Sequence, residues 1–200
     1  MKILIIGGNG TIGSKVSSYF SIKHEVLIAG RTTGEEVVDI SNSETIKALF
    51  KKIGKQDAII CTAGEAKWAP FNDLSEEDFY IGIRSKLMGQ VNLVRIGRKY
   101  LNPNGSITLT TGILADDPVI MTTSAAMVNG AIHSFVKSVA LELDNGIRVN
   151  AISSGLVEES LDKYRDYFPG HSPIPMDKML RGYIRSVEGK ANGEIIRIYD

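Results

Sequence analysis

The chain has 200 residues, 23 basic against 23 acidic side chains and one cysteine. That length suits one domain with a substantial core. The neutral balance excludes a general attraction to nucleic acid or an anionic membrane, and a lone cysteine excludes an internal disulfide, as expected in a reducing compartment. With 43% hydrophobic and 23% charged residues, disordered, collagenous and coiled-coil classes are also excluded.

The first apolar run, residues 3–6, stops at Gly7-Gly8. It falls well short of the ~7–15 residues of a signal-peptide core. No stretch reaches the ~18 apolar residues of a membrane span, so the expected address is the cytoplasm. Residues 3–6, 26–29, 58–61, 107–109, 147–152 and 195–198 read as strands, and Val37-Val38 as one more short strand. Several are apolar at successive positions, as strands buried on both faces require. Helices fill the gaps. Ser41 and Glu44 have capping-box spacing ahead of a helix over 44–52 that Gly54 closes. Ser75 with Asp78 opens a segment running to about residue 100. Val128, Ile132, Phe135, Val136, Val139 and Leu143 make one helical face, stopped at Asn145-Gly146. Strand–helix alternation implies a parallel sheet with right-handed crossovers. Residues 155–175, with three prolines, Tyr164, Tyr167, Phe168 and His171, stand apart. They read either as a functional flap or as a packed connection.

The stretch Ile3-Leu4-Ile5-Ile6-Gly7-Gly8-Asn9-Gly10-Thr11-Ile12-Gly13 is the most informative. A buried strand runs into glycines at 7, 10 and 13 and then into a helix. Gly7 permits the tight turn, Gly10 lets backbone N–H groups approach a pyrophosphate, and Gly13 lets the helix pack on the strand. The strand–turn–helix context raises this spacing to a dinucleotide-site expectation. The second strand ends in Gly30-Arg31-Thr32. A cation and a hydroxyl, where an acid would bind the ribose diol of NAD, favour the 2′-phosphate of NADP. Glu35 and Glu36 lie nearby and argue the other way.

With these motifs the whole chain resembles a small short-chain dehydrogenase/reductase. The glycine turn is similar to that family's G-x-x-G-x-x-G variant. Asp39-Ile40 resembles its adenine-contacting acid, and Ala63-Gly64 the end of its Asn-Asn-Ala-Gly strand, the asparagines being Cys61 and Thr62 here. Residues 130–143 and 146–155 resemble its long helix and following strand, with Ser154 in place of a proline, and residues 192–196 its last strand. The resemblance implies a three-layer α/β Rossmann domain over residues 1–200, with a doubly wound parallel sheet of about seven strands. It implies a dinucleotide along Gly7, Gly10, Thr11, Ile12, Gly13, Arg31, Thr32, Asp39, Ile40, Ala63 and Gly64. It also implies a homodimer or homotetramer through helices at 75–100 and 121–144.

The family's Tyr-x-x-x-Lys falls on Ala125 and Asn129, which cannot do its chemistry, and the chain resembles a small divergent subgroup lacking that pair. The family's serine falls at Thr111 or Gly112, its catalytic asparagine on Lys86, and the threonine after its Pro-Gly corner near Glu159. Without the tyrosine a general-acid factor of ~10²–10⁴ is lost, which quinones and other activated acceptors need least. Lys86 either polarises a carbonyl, binds a carboxylate or donates a proton, or is a helix-surface lysine. Thr111 either bonds a substrate oxygen or is structural. His171 is the histidine best placed to touch a substrate. His133 reads as packed and Cys61 as a small hydrophobe. His24, His133 and His171 are too far apart in sequence for a metal cluster.

Two functional expectations follow. One is an NADP-dependent oxidoreductase acting on a small carbonyl or quinone through Lys86 and Thr111, with no metal, nucleic acid or membrane partner. The other is a catalytically inactive dinucleotide sensor or scaffold.

Overall fold

The computed structural model describes residues 1–199. Seven strands form one parallel sheet: β1 (Lys2–Ile6), β2 (Glu25–Gly30), β3 (Glu36–Val37), β4 (Gln56–Cys61), β5 (Leu101–Gly112), β6 (Arg148–Ser154) and β7 (Ile195–Ile198). Their spatial order is β3-β2-β1-β4-β5-β6-β7, parallel at every pair. The order reverses between β1 and β4, and the crevice for a ligand opens there, at the carboxyl ends of the strands. The expected three-layer Rossmann architecture and its seven strands are thus observed.

Alternation along each strand divides the core into two layers. Leu4, Ile6, Ile59, Cys61, Ile107 and Leu109 face one side. There they meet α2 (Ser43–Ile53), α4 (Met88–Gly97) and α5 (Thr123–Val139) through Phe50, Leu93 and Ile132. Ile3, Ile5, Ala58 and Ile60 face the other side, against α1 (Thr11–Phe20) and α7 (Met176–Glu188) through Phe20, Met179 and Tyr183. Burial on both faces explains the continuous apolar runs. A third, smaller cluster of Ile113, Leu114, Ala125 and Phe168 sits beyond the strand ends with Trp68, Tyr164 and Tyr167 packed on it.

The helix starts hold one correction. Asn42, and not Ser41, caps α2, its side chain accepting from Glu44 N–H at 3.0 Å. Ser41 instead donates to Asp39 Oδ1 at 2.7 Å. An Asx-type turn at Asp39 therefore takes the serine away from the cap. The Ser75–Asp78 capping box forms as expected and opens α3 (Glu76–Gly82). The long helix that follows is broken: residues Ile83–Leu87 make a π-helical turn between α3 and α4. Such turns recur at functional sites because they re-aim a side chain without ending the helix. Here the segment carries Lys86.

Candidate active site

Two hollows meet at Gly64 and Glu65, which line both. The smaller, of about 240 Å³, is bounded by Gly7, Gly30, Arg31, Asp39, Ile40 and Ala63. The larger, of about 440 Å³, runs from Ile12 past Lys86, Thr111, Ala125 and Asn129 to Ser154 and the flap.

The smaller hollow is a backbone construction. Gly7 has φ +82°, a left-handed conformation that favours glycine. A Cβ on Gly13 would overlap the Gly7 carbonyl oxygen. Gly10 N–H donates to that same oxygen at 3.0 Å, and Gly10 then starts α1 with no side-chain cap. The first amides of α1 are therefore left for an anion. The cradle fits a dinucleotide pyrophosphate. Asp39 is held below the usual carboxylate range, chiefly by the Ser41 hydroxyl. Arg31 Nη1 lies 3.1 Å from Glu65 Oε1 in an exposed ion pair at the rim. Of the expected dinucleotide residues, Gly7, Arg31, Asp39, Ile40, Ala63 and Gly64 line this hollow and Ile12 the larger one. Gly10, Thr11 and Gly13 form the turn and helix start, and Thr32 is exposed in the loop beyond.

The larger hollow is a side-chain construction. The backbone of Gly64 packs on Lys86, where a Cβ would approach Lys86 Cγ to 3.0 Å. Lys86 is half-buried, and desolvation pushes its ammonium pKa down. It makes no hydrogen bond or ion pair with any described residue. Ala125 and Asn129 stand on α5 along the wall. Asn129 is buried, and its Oδ1 has no hydrogen-bond partner. Thr111, expected to bond a substrate oxygen, is committed elsewhere. Its Oγ1 donates to the Ile152 carbonyl at 3.2 Å and lies 2.8 Å from His133 Nε2. Its single O–H being spent, it accepts from the histidine. Burial lowers the His133 pKa, which keeps the ring neutral, with Asp116 opposing. His133 is thus packed, as expected.

Residues 155–175 form an aromatic flap of short helical turns, among them α6 (Leu161–Tyr164). Trp68 meets it with ring centroids 5.1 Å from Tyr164 and 5.9 Å from Tyr167. His171 does not reach the hollow: it packs edge-on to Phe168 and pairs with Asp117 at 3.6 Å. Glu159 is also turned away, into a separate groove beside Lys15. The expectation for His171 is corrected accordingly, since Phe168 and Ser160 take the inward places. Cys61 is buried, its thiol pushed up to about 11 by desolvation, as suits a small hydrophobe. No cluster of metal-ligating side chains occurs among the described residues, and no described helix is long and apolar enough to cross a membrane.

Trp68, Tyr164, Phe168 and Glu65 line the larger hollow but fall outside the site residues expected from sequence. Each sits in a connecting segment with no motif, and only the flap's aromatic content signalled it. Tyr199 was also missed. It lies 2.6 Å from Ser153 Oγ and donates to Asp116 Oδ2 at 2.7 Å. Asp116 also holds Arg197 through two oxygens. This ties β7 to the turn that carries Ile113 and Leu114 into the hollow.

The comparisons with known proteins agree with this geometry. A family model described as Enoyl-(Acyl carrier protein) reductase matches residues 24–172. The protein lin1944 of Listeria innocua is 45% identical in its solved structure, with a TM-score of 0.98 over 100% of both chains. A small-chain dehydrogenase solved in complex with NADPH is 28% identical, with a TM-score of 0.88 over 100% of this chain and 96% of that one. The short-chain dehydrogenase/reductase ucsE of an Acremonium species is 31% identical over 167 residues. That match takes in 78% of this chain and 61% of ucsE, so the chain spans about six-tenths of that relative's length. From the sheet order and the glycine cradle to these relatives, the chain belongs to the short-chain dehydrogenase/reductase family.

Proposed function

We propose that the protein is an NADPH-dependent reductase of a small activated carbonyl or quinone, with Lys86 doing work that the family assigns to other side chains. The observation that carries this is the partnerless Lys86 ammonium, held by a π-helical turn in the hollow that adjoins the glycine cradle. In this reading the amides at the start of α1 take the pyrophosphate, Asp39 and Ile40 bound the adenine, and Arg31 takes the 2′-phosphate. The NADPH complex of a 28%-identical relative supports the choice of cofactor. The bound dinucleotide supplies a hydride. Lys86 polarises the acceptor oxygen and hands it a proton, its lowered pKa making it a better acid than a surface lysine. Thr111 is a positioning residue, joining the end of β5 to α5 through His133. Exposed Ile81, Met88 and Met127 on α3, α4 and α5 suit association with a second copy of the chain.

NADPH oxidation with quinones, enones and ketones tests the reading. Turnover with at least the quinones is expected, falling ~100-fold in Lys86→Met. Zero rate on every acceptor would reject it. The presence of Ala125 and Asn129 on the wall favours the alternative, a dinucleotide sensor without turnover. Appreciable turnover by the unmodified protein rejects that alternative.

A further inference from the structure

Lys86 is the only cation among the residues that line the larger hollow. The one carboxylate there, Glu65, is paired with Arg31 at 3.1 Å and so is not its counter-charge. The remaining wall is mostly apolar and aromatic, with Trp68, Tyr164 and Phe168 packed in one cluster with Ile113. A half-desolvated ammonium without a counter-charge is costly, and a ligand anion removes that cost. Nζ carries three N–H donors. One ammonium can therefore hold a keto oxygen and a carboxylate oxygen that lie side by side. The volume of about 440 Å³ is within the range of small-molecule sites, and aromatic faces pack well on a flat ring.

We propose that the acceptor is an aryl α-keto acid, its carboxylate paired with Lys86 and its ring packed against the flap aromatics. This rests on the dinucleotide reading above and narrows its substrate class. In the reaction the keto carbon gains the hydride, the carbonyl π pair moves to oxygen, and that oxygen takes a proton from Lys86 Nζ. The lysine is reprotonated from solvent. The products are the α-hydroxy acid and the oxidised dinucleotide.

Trp68 is the single tryptophan of the chain, so intrinsic fluorescence reads the pocket directly. The protein is saturated with NADP⁺ and titrated with benzoylformate, methyl benzoylformate, pyruvate and phenanthrenequinone. Benzoylformate is expected to change the emission saturably, with the ester and pyruvate binding about tenfold more weakly. Lys86→Met is expected to erase the preference of acid over ester, and Lys86→Arg to keep part of it. Equal affinity for acid and ester, or an unchanged preference in Lys86→Met, overturns the proposal. Quinone binding without acid binding overturns it in favour of a neutral acceptor. A thermal shift with NADP⁺ but no acid preference rejects the substrate class alone. No thermal shift with NADP⁺ rejects the dinucleotide reading, and the proposal with it.

Discussion

The two halves of the cleft are built from different material. The dinucleotide half is backbone: Gly7 in a left-handed conformation, Gly13 with no room for a Cβ, and the uncapped start of α1. The acceptor half is side chain: Lys86, Ala125, Asn129 and the flap aromatics around a hollow. A side chain at Gly7 or Gly13 would collide with the backbone that joins β1 to α1, so there fold and phosphate cradle stand or fall together. The second half is fixed by packing behind the wall, through pairs such as Thr111–His133 and Asp116–Arg197. Lys86, Ala125, Asn129 and the flap residues of its lining lie on helices and loops outside the sheet itself. By the family resemblance the tyrosine and lysine positions fall on Ala125 and Asn129, in this side-chain half and not in the cradle.

The largest test of this contrast is Gly13→Ala. Overlap with the Gly7 carbonyl should cost about 3 kcal/mol, lowering the unfolding midpoint by roughly 6–12 °C for a domain of this size. Dinucleotide binding should be lost with it, and thermal unfolding with and without NADPH reads both. An unaffected midpoint would break the claim that cradle and fold are one structure.

Ala125→Tyr with Asn129→Lys makes the converse test. Both positions line the hollow, so placing a Tyr-x-x-x-Lys pair there should raise reduction of ordinary ketones by ~10²-fold with little change in midpoint. A misfolded product would show that the acceptor wall, too, is tied to the fold.

Stability should depend on pH through a group in each of two places, Lys86 in the hollow and Asp116 behind its wall. The Lys86 pKa is lowered by desolvation, so the unfolded chain binds the proton more readily than the folded one. Stability should then rise as pH climbs from the lowered pKa toward the ordinary value of 10.5. Denaturant unfolding across alkaline pH should show that rise in the wild type and a flatter limb in Lys86→Met. Asp116 gives a limb of the same sign in acid, for the opposite reason, its charged form being favoured by folding. Its hydrogen bond to Arg197 takes its pKa from 3.8 down to about 2. Its contribution is present above 3.8 and lost as pH falls through about 2, and Asp116→Asn should flatten that acid limb.

The smallest effect is expected at the rim. Glu65 pairs with Arg31, the guanidinium proposed above to take a 2′-phosphate. Glu65→Gln should tighten binding of 2′,5′-ADP about two- to fivefold, as the removal of an exposed competing pair allows, and leave 5′-ADP unchanged. Isothermal titration distinguishes the two ligands.

Most of the fold was legible because its signals are local. The six apolar runs fell on six of the strands, Val37 marked the remaining edge strand, and the glycine spacing located the cradle. Ser41 was misread because a turn at Asp39 competes for its hydroxyl, which spacing does not reveal. Lys86 was legible only through the family's asparagine position. Its aim depends on a π-helical turn that no residue pattern announced. Trp68 and Tyr164, nearly a hundred residues apart, become one wall only when the flap folds over the strand ends. His171 is legible only as a flap residue and Glu159 only through the family's threonine position, and the direction of each side chain is decided by its neighbours.

In the proposed reading binding and chemistry reside in separable halves of the cleft, with Lys86 carrying the chemistry. The most direct measurement is the single-turnover rate of NADPH oxidation by benzoylformate in wild type and Lys86→Met, alongside the affinity of each for 2′,5′-ADP. The account predicts a rate lower by ~100-fold in the variant with the 2′,5′-ADP affinity unchanged. Equal rates in the two proteins, or loss of rate and fragment affinity together, would contradict it.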